Sequence, residues 1–99
     1  MNFDINDLIA FRAVAELGNF RKAAESVHIS QPAFSRRIDK LEQALGVRLL
    51  ERSTRRVSLT VVGRDFDRQL RQILDALDTT LLGIRGVAAT RMGEVTIAA

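Results

Sequence analysis

The densest chemistry in this chain lies between Ser30 and Arg56. Ser30, Gln31, Pro32, Ala33, Ser35, Arg36 and Arg37 fall in a segment whose apolar residues Phe34, Ile38, Leu41 and Leu45 recur at helical spacing. At about 100° per residue, Pro32, Ala33, Arg36, Asp39, Lys40 and Gln43 share the face opposite that stripe, with Gln31 and Ser35 at its flanks. An arginine there can donate two hydrogen bonds to a guanine edge, while proline and alanine can pack on thymine methyls. Gln31, in the first turn, can reach adenine or a phosphate. Further along, Arg52, Arg55 and Arg56 form a second basic group.

Each of these side chains taken singly could belong to an ordinary solvated face, and the second group could merely blunt an exposed strand edge. Their grouping argues for anion binding. Residues 30–60 hold 7 Lys or Arg against 3 Asp or Glu, compared with 3 against 4 in residues 1–29 and 5 against 5 in residues 61–99, so the net charge of +3 resides in the middle. Of the 15 basic residues 13 are arginine, whose planar fork matches phosphate and guanine edges. The partner this predicts is double-stranded DNA. The acids Asp39, Glu42 and Glu51, set among arginines, read as ion-pair partners.

Other chemistries find no residue set. There is no cysteine and one histidine, His28, so neither a thiolate metal site nor a histidine cluster can form. Without a serine-nucleophile motif or glycine-rich phosphate loop, His28 reads as a turn residue, and neither enzyme activity nor a cofactor is expected. No apolar run approaches the ~18 residues of a membrane span, and the N-terminus is acidic where a signal peptide needs bases, which predicts a cytoplasmic protein.

The elements that must carry these residues follow from caps and periodicity. Asp4 with Asp7 starts a helix over 5–17 that Gly18 ends; Leu8, Phe11, Val14 and Ala15 form one apolar stripe, and Ile9, Ala13 and Leu17 a second. Asn19 caps a short helix with Phe20, Ala23, Ala24 and Val27 on one face, and His28-Ile29 leaves room only for a tight turn before Ser30 caps the helix closed by Gly46. Two short helices so joined make a helix-turn-helix. Val47–Leu50 and Val57–Thr60 are β-prone runs flanking residues 51–56, which predicts a small hairpin with a basic tip.

Thr60 caps a long helix over 61–88, with apolar residues Phe66, Leu70, Ile73, Leu77, Leu81, Ile84 and Ala88 at steps of four or three. Asp67, Arg71 and Asp75 form i, i+4 pairs on its polar side, and Gly83 and Gly86 weaken its last turns. At 1.5 Å per residue it would reach about 40 Å, more than the preceding 60 residues can cover, so its stripe predicts a homodimer. The segment after Gly93 reads as the opening of a strand. The predicted organisation is a winged helix-turn-helix over 1–60, a dimerisation helix over 61–90 and the start of a further domain over 91–99, mainly α in class. A winged-helix module that binds protein instead of nucleic acid is the alternative, and the basic middle segment argues against it.

The run from Phe20 to Glu42, FRKAAESVHISQPAFSRRIDKLE, continued by Leu45-Gly46-Val47, Leu49-Leu50-Glu51-Arg52 and Leu59-Thr60-Val61-Val62-Gly63, resembles the LysR-type transcriptional regulators. The likeness spans residues 5–98. It implies three helices with a β-hairpin wing, a dimerising linker helix and, in a longer chain, an effector-binding domain resembling periplasmic binding proteins; a tetramer of the longer protein stays open. Gln31, Pro32, Ser35 and Arg36 match the family's DNA-contacting positions, and Arg52 and Arg55 its wing. Three positions depart from its pattern: Asn19 where serine is usual, Leu50 where phenylalanine is common, and Val61-Val62 where Glu-Ala often follows the threonine.

Overall fold

The computed structural model describes residues 2–52 and 56–93. The order of elements is α1 Ile5–Leu17, α2 Phe20–Ser26, α3 Gln31–Leu45, β1 Leu50–Arg52, β2 Val57–Leu59 and α4 Val61–Gly93. Caps set the helix boundaries. The Asp4 carboxylate accepts from the amides of Asn6 and Asp7 while Asp7 accepts from that of Asp4, closing a reciprocal box, and Gly18 ends α1 at φ 67°. Asn19 accepts from Lys22 N at 2.8 Å, and Ser30 from Ala33 N at 3.2 Å. The turn between α2 and α3 passes through His28 at φ 62°, the turn role its sequence context predicts, in a region seldom occupied by residues other than glycine.

Helices α1, α2 and α3 close around Phe11, Val14, Ala23, Ala24, Phe34, Ile38 and Leu41, with Leu49 and Leu50 sealing one end. The alanines let α2 lie close against its neighbours. The second stripe of α1 is covered only in part: Ala13 packs against the core, whereas Ile9 and Leu17 are exposed.

The hairpin is antiparallel, with Leu50 opposite Leu59 and Arg52 opposite Val57. Its first strand starts later than the β-prone run 47–50 suggests. Leu49 is wholly buried, and the amides of Leu49 and Leu50 both donate to the Glu42 carboxylate, at 2.7 and 3.1 Å.

Thr60 caps α4 as its sequence suggests, accepting from Gly63 N at 2.9 Å and donating to the Arg48 carbonyl at 2.7 Å. The helix continues to Gly93, past the expected end at 88, so Gly83 and Gly86 are interior and residues 91–93 extend the helix. The strand expected after Gly93 lies outside the described residues. Two residues expected in the dimer seam serve the head instead. Leu70 is 2% exposed within its own chain, in the core, and the Phe66 ring lies 5.3 Å from that of Phe11. Asp67, between them, pairs with Arg12 of α1 at 3.0 Å and with Arg71 at 3.2 Å. The first three turns of α4 are thus a wall of the head, and residues 75–87 are all exposed, giving the molecule extents of 56 × 25 × 23 Å.

Candidate nucleic-acid interface

The N-terminal half of α3 presents the residues that the wheel placed outward. Gln31, Pro32 and Arg36 are exposed, Ala33, Ser35 and Arg37 are half-buried, and exposed Ser30 uses its hydroxyl as the cap. Phe34, Ile38 and Leu41 anchor the opposite face in the core, so this surface is held rigidly. The first amides of α3 point outward from the same end, adding the positive end of the helix dipole to Arg36 and Arg37.

Arg36, Arg37 and Lys40 rim a depression whose far wall is Asp4, Asn6 and Asp7 at the start of α1. Lys40, on the outward face by sequence, is turned to Asp7: its Nζ lies 3.0 Å from Oδ2 of a carboxylate that is 1% exposed. Asp7 Oδ1 accepts no hydrogen bond among the described residues. A buried carboxylate needs a cation more than a solvated surface does, so Lys40 ties α3 to α1.

The second basic group divides. Arg52 lies against α3, with Nη2 3.0 Å from Asp39 and 3.5 Å from Glu42 and its guanidinium 5.2 Å over the Phe20 ring. Arg55 lies outside the described residues. Arg56 is exposed and lines a depression with Gly18, Asn19 and Lys22, where α2 begins. Lys22 is a basic residue that sequence reasoning passed over. In sequence it is an isolated lysine on a short helix, and only the return of the hairpin sets it beside Arg56.

Glu42 does more than its place among arginines predicts. It pairs with Arg52, as an acid among arginines should, but it is 7% exposed and also accepts the two amides ahead of β1. Its signal was its place one residue after Leu41, at the edge of the buried stripe.

The outer part of α4 is an unpartnered apolar face. Ile73, Leu77, Leu81 and Ile84 are 61%, 36%, 50% and 62% exposed. Among the described residues no cluster of His, Cys, Asp or Glu could hold a metal ion, and no helix is long and apolar enough to cross a membrane.

Comparison with known proteins places this arrangement. Residues 5–64 match the family described as bacterial regulatory helix-turn-helix protein, lysR family. The chain is 40% identical over 98 residues to the uncharacterized HTH-type transcriptional regulator YbhD of Escherichia coli K12, covering 99% of this chain and 31% of that relative. Among solved structures, the BenM DNA-binding domain in complex with benA site 1 DNA is similar with a TM-score of 0.82 at 36% identity, over 88% of this chain and 98% of that one. The CbnR DNA-binding domain in complex with DNA gives 0.79 at 41%, over 87% and 99%. A helix-turn-helix with a hairpin wing, built from these residues at these spacings and matched from α1 into α4, makes this chain a member of the LysR family of bacterial regulatory proteins.

Proposed function

We propose that the chain binds double-stranded DNA as a homodimer and serves as the DNA-binding part of a bacterial transcription regulator. In this reading α3 enters the major groove with Arg36 as its base reader, Gln31, Pro32, Ala33 and Ser35 along the contact, and Ser30 and Arg37 at its phosphate margins. The hairpin tip with Arg55, and Arg56 with Lys22, meets the flanking backbone or minor groove. The exposed outer half of α4, at Ile73, Leu77, Leu81 and Ile84, joins two copies. In a chain as long as its relatives, the residues after 90 would lead into an effector-binding domain; this chain spans 31% of the Escherichia coli relative.

The observation that carries this reading is the outward face of α3. Gln31, Pro32 and Arg36 stand exposed at the amide-rich end of a helix braced from behind by the core, in a fold that two DNA-bound domains share. Nothing else about a solvated helix requires that combination.

Selection from a random duplex pool with the purified chain tests it. The expected product is an imperfect palindrome with half-sites about 10 base pairs apart, the spacing of successive major grooves on one side of the duplex. With ~6 phosphate contacts, log affinity should fall against log salt with a slope of about −5. A pool that stays random through selection at low salt would overturn the reading.

A further inference from the structure

Arg52 matches a wing position that the sequence offers as a DNA contact, yet its surroundings assign it different work. We propose that Arg52 is a positioning residue for DNA binding: through Asp39 and Glu42 it holds the hairpin at a set angle to α3, and it does not itself touch the duplex. The inference rests on the reading that the hairpin tip meets DNA.

The guanidinium is engaged on three sides. Its Nη2 lies 3.0 Å from Asp39 Oδ1 and 3.5 Å from Glu42 Oε1, and its Cζ lies 5.2 Å from the centre of the Phe20 ring. Asp39 and Glu42 are three residues apart on α3, so their carboxylates are neighbours on one helix face. Phe20 belongs to α2 and stands edge-on to Phe34 of α3, 5.4 Å away. One side chain of β1 therefore touches both helices of the helix-turn-helix.

Glu42 supplies the other half of the clasp. Its Oε2 accepts from Leu49 N and Leu50 N, so a single carboxylate grips the backbone where β1 begins and the side chain two residues further on. Attachments at both ends of residues 49–52 fix a direction, whereas one would leave a pivot. Were Arg52 to leave for a phosphate, a carboxylate only 7% exposed would lose its cation, a larger loss than one screened surface contact restores. The Arg52 side chain is itself only 33% exposed.

The test is a double-mutant cycle read by fluorescence anisotropy on the duplex the chain selects from a random pool. The proteins are wild type, Arg52→Ala, Asp39→Asn with Glu42→Gln, and the combined variant, all well below their unfolding temperatures by circular dichroism. Arg52→Ala should weaken binding about tenfold in the wild-type background and by less than about twofold where the acids are already neutral, because the clasp is then open. Without DNA, Arg52→Ala should also speed amide exchange at Leu49 and Leu50. Equal losses in both backgrounds would mark a direct contact and overturn the proposal; so would a lowered unfolding temperature with unchanged affinity.

If the doubly neutralised variant does not fold, Asp39→Asn alone, at an exposed position, supplies the cycle. A smaller Arg52→Ala factor in that background upholds the clasp, and an unchanged one overturns it. Arg55→Ala separates the two readings. If it costs no affinity, the hairpin does not meet DNA and both readings fall; if it weakens binding while Arg52 and the acids act additively, only the clasp falls.

Discussion

Arg36 is the residue on which base selectivity should turn, because it combines exposure with a position in the second turn of α3, on the face turned from the core. Arg36→Ala is expected to cost about 1 to 3 kcal/mol on the selected duplex and to relax preference at one position in each half-site. Competition titrations against single-base variants check this; equal weakening on every duplex would make Arg36 a phosphate contact. Lys40 is a contrasting case on the same face. Lys40→Met removes the cation from a carboxylate that is 1% exposed, so it should lower stability by about 3 kcal/mol, measured by urea unfolding, while a solvated lysine would cost almost nothing. Helical spacing puts both residues on the outward face, but a carboxylate of α1, distant in sequence, meets one of them.

Among the elements, the start of α4 lies against the backbone that leads into the hairpin. Thr60 N donates to the Leu49 carbonyl at 3.0 Å, and a Cβ built on Gly63 would overlap that same oxygen. Only glycine lets the first turn of α4 approach so closely. Gly63→Ala should therefore destabilise the head by at least about 2 kcal/mol in thermal unfolding, although alanine favours a helix by about 1 kcal/mol. Gly83 and Gly86 meet nothing within 4 Å, so alanine at each should stabilise the outer helix by up to about 1 kcal/mol, seen as added helicity. Caps and apolar periods made α1, α2 and α3 legible almost to the residue. The onset of β1 was not legible, because β-propensity cannot register that Glu42, seven residues back, captures the Leu49 amide.

For the whole molecule, α4 changes its role along its length. The stripe read from sequence is continuous from Phe66 to Ile84, but its first part faces α1 and the remainder faces solvent. Leu70→Ala should thus cost about 2 to 5 kcal/mol of head stability, as truncation of a buried leucine does. Leu77→Asp with Leu81→Asp should leave the head folded, shift the chain to monomer in sedimentation equilibrium and flatten the salt dependence of binding by about half, since one head then neutralises half the phosphates. A dimer that survives this pair would move the seam elsewhere, with the exposed Ile9 and Leu17 of α1 as the next apolar surface to examine.

Local rules sufficed for α1, α2 and α3, the start of α4, the helix caps, the tight turn at His28 and the basic character of the middle segment, because each depends on residues within a turn or two of one another. Which apolar residues of α4 the head covers, which arginine is held by acids, and which lysine is tied to a buried carboxylate were settled only by packing. Those outcomes depend on groups far apart in the chain, such as Arg12 and Asp67, and burial decides them because a charge or a methyl removed from water must take whatever partner the fold brings to it.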